Sequence, residues 1–428
     1  MGVQVSTKPA KTARGRRSIV RSIEFEQLES RVMLAADVEL VNGDLVITET
    51  GAANNDTIFV GQLNVGGNNI YWVAGNVGSD VTTTTGVQIT PTLVAFNLGA
   101  GTIDDLLINY NTGNDSVTLG HTIGGAPSGN AVADALFTNA AAVALQVGGN
   151  LSVALGEGID QLLAGVGRLN VGGSANVTLG EGLIGVTNLQ GTTIGANVSV
   201  LGGSNSDIVV FNGATVGGGL HSSLFGGNDF FFAVDSTVGG NTNVDLGSLN
   251  DLDGSLNTLL ISNTRLTREA NLTGGVGNTF LILNGTEVGT APNQDALRIF
   301  GGREADTVVL SNGVLLNEDL LIDTAGGDDV VVIGGGAVTQ VRHDVEIFTR
   351  DGNDTVIING LAVGTGTFTD DNLDIYLGDG NDTLTIANTF VLNRLRADGG
   401  AGVDTGNLGA GVTFGTLENS NFEFGNLA

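Results

Sequence analysis

The chain has 428 residues, of which 69 are glycine, 4 are proline and none is cysteine, and 41% are apolar. That apolar content excludes a disordered chain, and the lack of cysteine excludes both a disulfide-stapled scaffold and a thiol nucleophile. The formal net charge is −29, and it is unevenly spread. Seven of the 16 basic residues, Lys8, Lys11, Arg14, Arg16, Arg17, Arg21 and Arg31, lie in the first 31 positions, and there is no lysine after Lys11. With Glu24, Glu26 and Glu29 set aside, nine arginines face 42 acidic residues beyond position 36. Such a surface repels nucleic acid and anionic membrane and suits divalent cations or basic partners. No apolar run has the length of a membrane-crossing helix.

Residues 1–36 read as a separate basic export or targeting segment. Ile19, Ile23, Phe25, Leu28 and Val32 fall at roughly helical spacing, which predicts a short amphipathic helix. Phe25, Glu26, Leu28, Glu29, Arg31, Leu34, Ala35, Ala36 and Asp37 then follow in a set order. This order resembles the LEPR-XLL type N-terminal motif that heads repeat-rich bacterial envelope and secreted proteins, with Ser30 where that motif has Pro and Met33 where it has Leu. The resemblance implies an exported protein, extracellular or at the cell surface, whose partners are cell-envelope or extracellular material.

Residues 37–145 are expected to form the irregular first coils of a rod that begins near residue 38, where Asn42-Gly43-Asp44 and Asn54-Asn55-Asp56 each lead into an alternating apolar run.

Residues 146–413 carry the regular repeat. A Gly-Asn-Asp corner followed by alternating apolar residues recurs at Gly227-Asn228-Asp229, Gly352-Asn353-Asp354 and Gly380-Asn381-Asp382, and earlier at Gly113-Asn114-Asp115. Counted on Asp207, Asp229, Asn257, Asn278, Asp306, Asp329, Asp354, Asp382 and Asp404, the period fits coils of about 22–28 residues. The second and fourth residues after each mark up to Asp382 are apolar, from Val209 and Phe211 through Phe280 and Ile282 to Leu384 and Ile386. A period of two puts them on one face of a strand. The fold class predicted is all-β, a right-handed parallel β-helix (a solenoid). Glycine suits the corners, where positive φ is needed, and Asn212, Asn312 and Asn359 are expected to stack in a ladder. Residues 414–428, with Phe414, Phe422 and Phe424, are expected to cap the core.

The Gly-Asn-Asp corners also resemble the nonapeptide of RTX-type calcium repeats, although here one partial copy occurs per coil rather than in tandem. The resemblance makes Asp229, Asp329, Asp351, Asp354, Asp379 and Asp382 candidate calcium ligands, since calcium takes six to eight oxygens. The other reading of these acids is that they accept backbone hydrogen bonds at the bend.

No catalytic residue stands out. His121, His221 and His343 have no metal-ligand spacing, and the body has no lysine for phosphate or Schiff-base chemistry. Parallel β-helices do host polysaccharide lyases and glycosidases, which keeps a carbohydrate-active reading open through acids and arginines such as Arg298 and Arg350. The reading adopted is not an enzyme but an exported acidic rod with a structural or adhesive role. Calcium-binding and carbohydrate-active readings are the alternatives.

Overall fold

The computed structural model describes residues 34–50, 55–76, 80–121, 141–182, 184–247, 255–289, 296–366 and 370–427. Among these residues there is no helix, and the chain winds as a parallel β-solenoid. The expected N-terminal helix lies outside the described residues.

One coil shows the construction. Ser206–Asn212 forms a first face, Thr215–Val216 a short second face and Leu220–Ser223 a third, after which Phe230–Val234 returns to the first. Strands of successive coils pair in parallel and in register. On the third face Leu320, Val345, Leu373 and Leu395 stack in one column. The third face belongs to a sixteen-stranded sheet, and fourteen of its strands succeed one another in parallel from Asp44–Glu49 to Thr416–Ser420. At about 4.8 Å per strand this stack is on the order of 60 Å long.

In the regular coils the strands alternate buried and partly exposed residues, as Ser206–Asn212 does, and one continuous core runs through the coils. On the first face Val209, Phe231, Leu259, Leu281, Val308, Val331, Val356 and Leu384 form a single inward column. The expected Phe280 and Ile282 are therefore corrected to Leu281 and Leu283. Thr279, not Asn278, pairs with Asn257, and this slip by one residue turns Phe280 outward, where it is 46% exposed. The phenylalanine cluster is divided in the same way. Phe231 packs inward on Phe211, while Phe230 and Phe232 stack outside with ring planes 8° apart.

The described residues between 34 and 97 depart from the coil pattern. Leu34–Val41 and Asp44–Glu49 form an antiparallel hairpin about Asn42 and Gly43, both at positive φ. Thr57–Val65, Asn68–Gly75, Leu93–Asn97 and Val87–Thr90 form an antiparallel meander, with Tyr71 and Trp72 fully buried. At the other end Thr416–Ser420 adds one more parallel strand, and Phe422 and Leu427 turn inward.

Candidate functional site

The Gly-Asn-Asp corner joins the third face of one coil to the first face of the next, and its three residues do three different things. The aspartate points inward. Asp115, Asp160, Asp207, Asp306, Asp329, Asp354, Asp382 and Asp404 are all at most 3% exposed. Each carboxylate reaches back one coil and accepts a backbone N–H there. Asp207 N–H donates to Asp229 Oδ1, Asp306 to Asp329, Asp329 to Asp354, Asp354 to Asp382 and Asp382 to Asp404, each at 2.8 Å. The same bond joins Asp56 to Asp115 at 2.9 Å and Asp115 to Asp160 at 2.8 Å, so the ladder reaches into the early coils. Asn257 and Thr279 occupy two of its positions: Asn257 Oδ1 accepts the Asp229 N–H at 2.9 Å, and the Thr279 N–H donates to Asp306 Oδ1 at 2.7 Å.

The asparagine points outward and bonds the other way. Leu256 N–H donates to Asn228 Oδ1 at 2.7 Å, Asn381 N–H to Asn353 Oδ1 at 3.0 Å and Val403 N–H to Asn381 Oδ1 at 3.0 Å. Each corner is thus tied to the coil before it through its aspartate and to the coil after it through its asparagine. The glycine lets the backbone pass close. Gly380 has φ +150°, and a Cβ there would overlap the Gly352 carbonyl oxygen of the preceding coil.

Burial raises these carboxyls above the ordinary carboxylate range. Asp115 and Asp207 are pushed up to about 7, Asp160, Asp306 and Asp382 to about 6, and Asp329 to about 8. Desolvation is the leading cause in each, and the accepted backbone N–H opposes it. The second oxygen distinguishes them. Oδ2 of Asp207 accepts from Gly203 N–H at 2.8 Å and that of Asp306 from Gly302 N–H at 2.6 Å. Oδ2 of Asp115, Asp160, Asp382 and Asp404 has no donor among the described residues. A buried oxygen in that state favours the neutral acid.

Four of the six candidate calcium ligands, Asp229, Asp329, Asp354 and Asp382, are ladder members, one per coil. The other two, Asp351 and Asp379, are exposed register partners on adjacent coils of the third face. Among the described residues no three His, Asp or Glu side chains converge as metal ligands would. The spacing of the Gly-Asn-Asp corners pointed to the ladder, but Asp160 follows Gly158-Ile159 and carries no asparagine to mark it. The expected amide stack is redistributed. Asn312 donates to Asn284 Oδ1 at 2.5 Å and Asn388 to Asn359 Oδ1 at 2.8 Å, while Asn212 is register partner to Val234.

The histidines stay apart. His121 packs 4.6 Å from the Phe59 ring, His221 sits on the third face and His343 lies 3.6 Å from Glu318. The arginines pair with acids at the surface, Arg265 with Glu287 at 3.5 Å and Arg394 with Asp374 at 2.6 Å. The outer side of the third face also brings Glu346 beside Asp374, next to a Phe348–Tyr376 stack with centroids 5.0 Å apart. Burial and then Asp374, Asp344 and Asp319 raise the Glu346 carboxyl. The two rings lie face to face along the rod, with Arg350 over Phe348 and Arg396 over Tyr376. The ring faces are thus covered by one another and by guanidinium groups, which is unlike a flat aromatic platform for a sugar.

Comparison with protein-family models, with curated proteins and with solved structures found no match.

Proposed function

We propose that this chain is an exported, non-enzymatic rod with a structural or adhesive role at the cell envelope, binding cell-envelope or extracellular material. The observation that supports a passive role is the use made of the repeat motif. Its glycine passes the neighbouring coil, its asparagine bonds the next coil and its aspartate bonds the previous one. The chemistry that recurs in the sequence is thereby spent on stacking. The address rests on the resemblance of Phe25 to Asp37 to the envelope-protein motif. Fractionation of the source cells tests it: recovery from envelope or medium is expected, and recovery from cytosol alone would overturn the reading. For the adhesive part, purified protein should sediment with washed envelopes and release no soluble sugar from them.

A further inference from the structure

We propose that the outer side of the first face is the contact through which two copies of this chain pair side by side about a twofold axis. In an acidic protein this surface is exceptional. No Asp, Glu, Lys or Arg stands at an outward position of the first face among the described strands from Ser116–Leu119 to Thr405–Leu408. Instead two outward columns carry residues such as Ile208, Val210, Phe230, Phe232, Ile282 and Val332, register neighbours or near neighbours on successive coils. Leu256 at the adjoining corner is 60% exposed and Phe280 is 46% exposed. The other faces differ: in the later coils Arg298, Glu346, Asp374 and Arg396 point outward on the third face and Arg265 and Glu287 on the second, and in the earlier coils the third face presents polar residues such as Ser152, Asn176, Ser199 and His221.

Charge, repeat spacing and area select a second copy as the occupant. The chain has 45 acidic residues against 16 basic ones, so two copies repel wherever their acids meet; the strands of this face bring none together, and the exposed Asp328 and Asp235 stand at its bordering corners. Its outward columns repeat at the strand spacing, and a second stacked sheet of the same length, which another copy supplies, matches that spacing along the whole face; two such sheets pack at about 10 Å. Twelve strands about 4.8 Å apart, with a width of two to three side chains, present on the order of 600 Å² per copy. That approaches the roughly 800 Å² per partner of a standard interface and matches the upper end, about 600 Å², of the largest patch a typical monomer exposes. A twofold arrangement closes, since each copy offers the same patch. The inference is independent of where the protein resides.

The test is the mass of the full chain in solution, by light scattering and sedimentation up to about 100 μM. Wild type is expected to be a dimer. Val210→Glu/Ile282→Glu should weaken it at least a hundredfold, and Ser152→Glu/Asn176→Glu, adding the same charge to the third face, should not. Should the first variant fail to fold by circular dichroism, a single cysteine decides, because the chain has none of its own. Thr258→Cys near the middle of the face should oxidise to a covalent dimer, and Asn176→Cys should not. Wild type that is monomeric at every concentration, a dimer that survives the folded glutamate variant, equal cross-linking at both cysteines, or a monomer that instead binds phosphatidylcholine vesicles would each overturn the proposal.

Discussion

Asp354 Oδ1 accepts the backbone N–H of Asp329 at 2.8 Å, across 25 residues of sequence and one coil of the rod. Both residues are 1% exposed, and the bond recurs along the rod with the same polarity. A column of carboxyl groups therefore sits inside the solenoid, held by backbone donors. Burial of this kind is tolerated where the polar atom is bonded and the group is uncharged.

Acid should stabilise the protein. Six ladder carboxyls, Asp115, Asp160, Asp207, Asp306, Asp329 and Asp382, have folded pKa values of about 6 to 8, above the ordinary value of 3.8, and burial raises Asp354 and Asp404 in the same direction. The folded chain thus holds protons more tightly than the unfolded chain. The stability this contributes is complete below the unfolded pKa and is lost as pH rises through the folded values. Thermal unfolding at constant ionic strength should show a midpoint several kelvin higher at pH 5 than at pH 8, and a higher midpoint at pH 8 would contradict the ladder.

Asn257 indicates which substitution the ladder accepts. Its Oδ1 takes the Asp229 N–H, and its Nδ2 donates to Gly274 O at 3.0 Å. Asp329→Asn should keep the bond from Asp306 while removing a carboxyl that ionises near pH 8, with Thr324 close enough to influence it. The variant should melt above wild type at pH 8, by a smaller margin at pH 5, and show a flatter pH profile. Asp329→Ala should be destabilised at both values by about 1–3 kcal/mol, the cost of leaving the Asp306 N–H unpaired. Denaturant titration at the two pH values distinguishes these outcomes.

The corner glycines should differ in their tolerance of a side chain. Gly380 and Gly213 both have positive φ, but a Cβ at Gly213 meets nothing within 4 Å, whereas one at Gly380 meets the Gly352 carbonyl. Gly213→Ala should cost about 1 kcal/mol, the ordinary strain of that backbone region. Gly380→Ala should cost several times as much, on the order of 3–5 kcal/mol, because two coils must separate locally. Equal costs would mean that the coils are not in contact there.

Chelation should leave the melting midpoint unchanged. Asp229, Asp329, Asp354 and Asp382 each have an oxygen committed to a backbone donor one coil away, and only Asp351 and Asp379 of the six candidates face solvent. Melting with EDTA and with millimolar calcium measures this. A rise of several kelvin with calcium would restore the ion to the structure, and Asp351→Asn/Asp379→Asn would then show whether those two residues hold it.

The coil was legible because a strand that buries one face must alternate, as Val209 and Phe211 do around Val210. The error at Asn278 shows the limit of that reading. Gly277-Asn278 looks like the corner, yet Thr279 takes the ladder position, and one residue of offset exchanges inside for outside. The meander from Thr57 to Asn97 was not legible, because the same alternation serves parallel and antiparallel strands; the signal lay in Gly66 and Gly67 at positive φ between Thr57–Val65 and Asn68–Gly75. The inward aspartates were half legible. Their spacing marked the coils and their bonding to backbone N–H was one of two readings, but the sequence does not show that the donor lies one coil away, which is what makes their burial tolerable. The uncharged outer columns were visible as Ile208, Phe230 and Val332, and acquired meaning only when register aligned them.

The most direct test of the buried ladder is a carboxyl carbon-13 titration of protein labelled at aspartate. The expected result is a distinct ladder group, including Asp115, Asp207 and Asp329, that titrates between about 6 and 8, apart from the remaining aspartates. A single population near pH 4, with the protein folded throughout, would place those carboxylates in water and contradict it.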